Sequence, residues 1–299
     1  MTTTVLVLDP RGCSELADLP GVDVLFHDPG SSELADDARA AQVLVAEGGS
    51  VDQVAALAAE MPALRLVQTT NAGVETWVGR LPEQVQLSNG RGAHGASTAE
   101  WALAGLLAVY RDLVSFANAR TWSDHPTETL MGKHVLIVGA GDLATELAVR
   151  LDACGASSTL VGRTRRDGVH AIDELGELVA THDAVVLMLP LTEQTRGLVD
   201  ADLLARMPDH AILVNAARGG VVDTDALLVE LRAQRLRAVL DVTDPEPLPE
   251  DHPLWGAPGL LLTPHVGGFS EGRDERAWAV TRANVAAVAR GEEPPNLVR

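Results

Sequence analysis

The stretch His134-Val-Leu-Ile-Val-Gly-Ala-Gly-Asp-Leu-Ala144 decides the fold. Its first five residues end in an apolar, β-branched run that reads as a strand. Gly139, Gly141 and Ala144 then stand at G-x-G-x-x-G/A spacing, and an apolar-periodic helix continues to about Cys154. A strand that turns on glycines into a helix brings bare amides and a helix N-terminus to one point, which suits a pyrophosphate. Gly139 permits the tight turn, Gly141 lets the backbone approach, and Ala144 lets the helix lie close on the sheet. A bare structural turn can share these letters, but the strand–loop–helix context favours dinucleotide binding. Asp142 is an odd neighbour for a phosphate: it either caps the helix or weakens binding.

Downstream, Ser158–Val161, Ala184–Leu189, Ala211–Val214, Ala238–Leu240 and Leu260–Leu262 read as further strands, giving a doubly wound sheet of at least six. Upstream, Val5–Leu8, Val22–Phe26, Val43–Ala46 and Leu64–Val67 read as strands, with helical spacing from Val51 to Met61. Ser97-Thr-Ala-Glu100 has the form of a capping box ahead of the apolar run Trp101–Val114; Pro126 and Gly132 mark the break after it. The last 30 or so residues read as helix again and are expected to return to the first sheet. The expected fold is α/β, with two domains of doubly wound parallel sheet. A Rossmann cofactor domain spans 97–269, and a flavodoxin-like substrate domain is built from 1–96 and 270–299, with a cleft between them.

Composition narrows the function classes. The chain has 299 residues, 46% of them apolar, enough for two cores. It has no apolar run of about 18 residues or more, so no transmembrane helix is expected. The start, Met1-Thr-Thr-Thr-Val-Leu-Val-Leu8, reads as a strand rather than a signal peptide. Two isolated cysteines, Cys13 and Cys154, imply neither a disulfide framework nor a metal site, and fit a cytoplasmic protein. A net charge of −19 argues against nucleic acid and anionic membrane as partners. Lys133 is the only lysine, a compositional bias without mechanistic weight.

The second strand of such a unit normally ends in an acid that grips the adenosine 2′-hydroxyl. Here it ends in Gly162-Arg-Thr-Arg-Arg166. An acid would repel a 2′-phosphate, whereas the guanidinium fork of Arg163 attracts one, so NADP is expected over NAD, with help from Arg165 or Arg166. The plain alternative is an arginine-rich surface turn.

Three later strands are each followed by one chemically apt residue: Arg218, Glu246 and His265. Ligands bind beyond the carboxyl ends of parallel strands. Reduction of a keto acid needs a fixed cation on the carboxylate and carbonyl, a proton donor, and a group that keeps the donor protonated. Arg218 suits the first task, His265 the second and Glu246 the third. Singly, each has a bland reading as a surface or packing residue; their common placement after successive strands is what counts.

The sequence resembles the D-isomer-specific 2-hydroxyacid dehydrogenase family, in its glyoxylate/hydroxypyruvate reductase-like branch. Leu189-Pro-Leu-Thr192 with Thr195, Asn215–Asp223, Asp241-Val242 with Glu246–Pro249, Pro253-Leu-Trp255 and Thr263–Gly268 carry the likeness. The resemblance implies Arg218 as substrate anchor, His265 as acid/base, Glu246 as its partner, and Asp241 near the nicotinamide carboxamide. It implies that the amides of Ala72, Gly73 and Val74 hold the substrate carboxylate. Besides Gly139, Gly141 and Arg163, the matching loops add Asp142, Leu143, Thr164, Leu189, Pro190, Ala216, Ala217, Gly267 and Gly268 as expected dinucleotide contacts. Trp122 is placed either to reach a neighbouring subunit's pocket, as an aromatic does in some reductases of this branch, or in the core.

The expected protein is therefore an NADPH-linked reductase of a small 2-keto acid, and a homodimer built around Trp101–Val114. Two other readings stay open: NAD-linked oxidation of a D-2-hydroxy acid, and a non-catalytic dinucleotide-sensing protein.

Overall fold

The computed structural model describes residues 2–31 and 33–298. Within it the chain divides into two compact units, 1–94 with 271–299, and 95–270.

The first unit holds a parallel sheet of five strands: β1 (Thr3–Val7), β2 (Val22–Phe26), β3 (Val43–Val45), β4 (Leu66–Gln68) and β5 (Gln86–Ser88). Their order is β2-β1-β3-β4-β5, the flavodoxin-like winding. Helices α1 (Pro10–Leu16), α2 (Asp36–Arg39) and α3 (Val51–Ala59) connect them. Side chains alternate across a strand, so Leu6 and Leu44 face one core with Val54 and Met61, while Val5, Val7, Val43 and Val45 face another. Trp278 and Val285 complete the second core from the last helix of the chain. Burial on both faces explains why β1 and β3 read as continuous apolar runs.

The second unit opens with α4 (Gly95–Tyr110) and α5 (Leu113–Asn118). Seven parallel strands follow: β6 (His134–Val138), β7 (Ser157–Gly162), β8 (Val169–Ala171), β9 (Ala184–Leu187), β10 (Ile212–Asn215), β11 (Arg237–Leu240) and β12 (Leu260–Leu262). The order β12-β11-β10-β9-β6-β7-β8 reverses direction beside β6, and that switch point is where a doubly wound sheet binds ligands. Helices α6 (Asp142–Ala153), α7 (Leu175–Leu178), α8 (Ala201–Arg206) and α9 (Thr224–Arg232) link the strands. The chain ends with α10 (Arg273–Ala289), which carries Trp278 and Val285.

Several local expectations are corrected. α4 starts at Gly95, two residues before Ser97, so Ser97 and Glu100 lie inside the helix rather than at its N-terminal boundary. The apolar run does not stay helical to Val114: Asp112 takes a left-handed φ of 48° and separates α4 from α5. The fourth strand sits at Leu66–Gln68 rather than Leu64–Val67. Two three-residue edge strands, β5 and β8, are additional.

Ala102, Gly105, Leu106 and Tyr110 of α4 are buried within the second unit, and a Cβ on Gly105 would lie 2.5 Å from Val239 Cγ1. The helix's apolar character is thus partly explained by its seat on β11. α5 buries no residue, and Leu113, Val114 and Trp122 are exposed, so Trp122 is no core residue of this unit. Among the described residues no helix is long and apolar enough to cross a membrane.

Candidate active site

β6 delivers the chain to Gly139, whose φ of 133° and contacts both require glycine: a Cβ there would lie 2.1 Å from the Met188 carbonyl oxygen. Gly141 is the N-cap of α6, no side chain caps that end, and nothing stands within 4 Å of the position a Cβ would take. Ala144 is fully buried against the sheet. Open space, a helix N-terminus without a side-chain cap, and a turn that only glycine can make together fit a pyrophosphate.

Asp142 opens α6 but does not cap it. Its Oδ2 is buried without a hydrogen-bond partner and lies beside α4, where a Cβ on Gly95 would come within 2.9 Å. The capping alternative is therefore excluded. Leu143 is half-buried behind it.

β7 ends at Gly162, and Arg163 and Thr164 beyond it are exposed. Arg166 reaches back to donate to the Ala140 carbonyl at 2.9 Å, which ties the arginine turn to the glycine loop. Arg165 is paired with Glu174, which also takes His170 Nδ1 at 2.9 Å, so Arg165 is already committed to an ion pair. Arg163 makes no ion pair or hydrogen bond among the described residues, which leaves its guanidinium as the available one.

The three candidate catalytic residues follow adjacent strands. After β10, Asn215 braces the turn: its side chain donates to the Arg218 carbonyl at 3.0 Å and accepts from the Ala217 amide at 3.0 Å. Gly219 lets this turn approach the next loop, since a Cβ there would lie 1.9 Å from the Thr243 carbonyl oxygen. Arg218 Nη1 donates to the Ala217 carbonyl at 2.7 Å. After β11, Glu246 Oε1 lies 2.6 Å from His265 Nδ1, which follows β12. A carboxylate only accepts, so Nδ1 carries the proton and Nε2 is left for a reacting atom. Both side chains are nearly half exposed, 47% for His265 and 41% for Glu246, so geometry rather than burial makes the pair.

Asp241 is the buried member of this group, 4% exposed. Its carboxylate accepts from Thr263 Oγ1, from Val266 N and from Gly267 N. Pro190 is exposed and its carbonyl accepts from Thr195 at 2.7 Å, while Leu189, Ala216 and Gly268 are half-buried and Ala217 and Gly267 buried. Sequence reasoning missed Asn215 as the brace of Arg218 and Thr263 as a partner of Asp241. Both stood inside the quoted motifs; their roles depend on side-chain bonds that spacing does not reveal.

In the first unit, Ala72, Gly73 and Val74 follow β4 in a half-buried loop. Asn89 donates to the Ala72 carbonyl at 2.8 Å, and Gly90 accommodates Thr70, whose carbonyl oxygen would lie 1.9 Å from a Cβ. The loop carbonyl is thereby fixed, while the amides of these three residues donate to no group among the described residues.

A glycine-turn Rossmann unit with a paired histidine and glutamate defines a nicotinamide-dinucleotide oxidoreductase. Residues 103–267 match the family described as D-isomer specific 2-hydroxyacid dehydrogenase, NAD binding domain. The chain is 30% identical to glyoxylate/hydroxypyruvate reductase A of Citrobacter koseri, over 92% of this chain and 89% of that one. It superposes on a D-isomer specific 2-hydroxyacid dehydrogenase of Xanthobacter autotrophicus, solved with NADPH and MES. The TM-score is 0.87 at 30% identity, over 100% of this chain and 98% of the other. A glyoxylate/hydroxypyruvate reductase of Sinorhizobium meliloti, solved with NADP and sulfate, superposes with a TM-score of 0.82 at 25% identity, over 99% and 98% of the two chains. The chain belongs to the D-isomer specific 2-hydroxyacid dehydrogenase family. Its chemistry is hydride transfer between a nicotinamide dinucleotide and a small 2-keto or 2-hydroxy acid.

Proposed function

We propose that this enzyme works as an NADPH-dependent reductase of a short 2-keto acid such as glyoxylate or hydroxypyruvate. The observation that carries the proposal is the 2.6 Å contact between His265 Nδ1 and Glu246. Bound NADPH supplies the hydride to the carbonyl carbon. Arg218 holds the carboxylate and polarises the carbonyl. His265 Nε2 delivers a proton to the carbonyl oxygen as the alkoxide forms, and Glu246 holds the ring through Nδ1 so that Nε2 faces the reacting atom. The product is the 2-hydroxy acid, with the imidazole left neutral. The amides of Ala72, Gly73 and Val74 are assigned to substrate carboxylate binding, because they are pre-positioned donors with no internal acceptor.

The unit comprising 95–270 is assigned to the dinucleotide, and the unit of 1–94 with 271–299 to the substrate. Arg163 is assigned to the 2′-phosphate, as an exposed guanidinium at a strand end that lacks the usual acid. Two of the named relatives were solved with NADPH or NADP bound, which supports this preference. A homodimer is proposed through the outer side of α4 together with α5 and Trp122, whose apolar side chains are otherwise left in water. Two unpaired cysteines, Cys13 and Cys154, fit a reducing cytoplasm.

The test is a panel of 2-keto acids assayed with NADPH and NADH in parallel. Turnover of glyoxylate or hydroxypyruvate, faster with NADPH, is expected. Negligible turnover across the panel with intact dinucleotide binding would overturn the reductase reading in favour of a sensing protein.

A further inference from the structure

Trp101, Thr263 and Asp241 form a directed chain of hydrogen bonds that ends on the turn carrying His265. The indole Nε1–H of Trp101 donates to Thr263 Oγ1 at 3.1 Å. An indole N–H can only donate, so the threonine hydroxyl accepts there and its own proton points onward, to Asp241 Oδ1 at 2.7 Å. The Asp241 carboxylate then accepts from the amides of Val266 and Gly267, each at 2.8 Å. These are the two residues that follow His265. The His265 amide itself donates to the Asp241 carbonyl oxygen at 2.7 Å. Asp241 therefore holds His265 from both sides, with its main chain and with its carboxylate.

That grip has a clear purpose in backbone terms. His265 has a φ of 55°, in the left-handed region that residues with a Cβ adopt uncommonly and that neighbouring bonds must hold in place. Two amides aimed at one buried carboxylate are such an enforcement, because turning either away would leave a buried charge short of partners. The carboxylate must itself be fixed, and Thr263 fixes it. Gly267 is where the parts converge: a Cβ there would lie 2.9 Å from Asp241 Oδ2 and 3.4 Å from the Trp101 ring. The indole is thus laid against the same turn that it helps to order.

We propose that Trp101 is a positioning residue for proton transfer, acting through Thr263 and Asp241 to hold the His265 turn in the conformation that meets Glu246. The inference rests on the reading of His265 as the proton donor. Trp101 and Thr263 touch neither substrate nor dinucleotide in this scheme. Their effect is on the rate of the chemical step, which falls steeply when a donor is displaced.

The test uses the enzyme and five variants: Trp101→Phe, which keeps a ring but removes the donor; Thr263→Val, which keeps the shape but removes the hydroxyl; the double variant combining these two; Thr263→Ser; and His265→Gln. Single-turnover hydride transfer, KM for the keto acid, and Kd for NADPH are measured for each, with thermal melts to confirm folding. Trp101→Phe and Thr263→Val should each slow single turnover by about tenfold, with KM and NADPH Kd within about twofold of wild type. The double variant should be little slower than Thr263→Val alone, because both changes cut the same chain. Thr263→Ser should recover the rate lost in Thr263→Val. Wild-type turnover in Trp101→Phe and Thr263→Val, with His265→Gln inactive, overturns this inference and leaves the proton donor in place. An active His265→Gln overturns the donor assignment itself. A loss confined to NADPH Kd, or one that Thr263→Ser does not recover, assigns these residues a role in cofactor binding or packing and also overturns the inference.

Discussion

Glu246 Oε1 lies 2.6 Å from Nδ1 of His265, joining the loops that follow β11 and β12. The carboxylate takes the Nδ1 side of the ring and so aims Nε2, and its removal should slow proton delivery. In Glu246→Gln the charge is lost and the shape roughly kept, so keto-acid turnover should fall while the NADPH Kd stays nearly unchanged. His265→Ala should cut turnover by about two to four orders of magnitude, the usual worth of a positioned proton donor. Turnover and NADPH titration for the wild type and both variants check this; full turnover in Glu246→Gln would sink the coupling.

Arg163 stands exposed beyond β7, while Arg165 is paired with Glu174 and Arg166 with the glycine loop. Arg163→Ala should weaken NADPH relative to NADH by about 1–3 kcal/mol, the range of a charge-assisted contact. Titration of both cofactors measures it. Equal losses for the two would reduce the arginine turn to a surface feature.

Asp142 places a negative charge at the first residue of α6, beside the open approach at Gly141. Replacing it by Asn removes repulsion toward a pyrophosphate and leaves the packing against Gly95 nearly unchanged. NADPH and NADH should both bind more tightly, by about 1 kcal/mol or more, because a charge that is partly shielded from water is removed from beside the diphosphate. Calorimetry on both cofactors decides; weaker binding would show that the carboxylate orders the loop.

Away from the site, Glu128 lies 2.9 Å from Lys133 and 2.8 Å from Arg237. Partial burial alone would raise its carboxyl, but the two cations outweigh it and hold Glu128 below the ordinary carboxylate range. A depressed folded value contributes stability above the unfolded value of 4.5, and this is lost as pH falls through the folded value. Since the side chain is 43% exposed, screening limits the contribution to about 1 kcal/mol or less. Glu128→Gln should therefore lower Tm by roughly 2–4 °C or less at neutral pH. The gap should close below the carboxylate range; a gap that persists in acid would refute the electrostatic account.

The parts of the fold that were legible in the sequence are those where one face or both are buried. His134–Val138 is the clearest, because its apolar run and glycine turn leave a single reading, and β6 occupies those same residues. Gln86-Leu-Ser88 and Val169-His-Ala171 were not legible: each is a three-residue edge strand with two residues that are not strongly apolar. The start of α4 was misplaced because Ser97 and Glu100 mimic a cap, whereas Gly95 already lies in the helix, packed beside Asp142. At the site, Arg218, Glu246 and His265 could be named from their places after strands. The fixed torsion of His265 could not, since it depends on Asp241, 24 positions earlier in the numbering, and on amides that any residue would supply.

The first unit is discontinuous in the chain, and this sets an order of events during synthesis. Residues 1–94 leave the ribosome with one face of their sheet lacking Trp278 and Val285. The whole of 95–270 is made before those two side chains appear. The interrupting unit has a complete sheet and core of its own, so it can close while the first awaits its last helix. Nascent chains stalled short of α10 should therefore resist protease over 95–270 and be cut readily within the amino-terminal sheet.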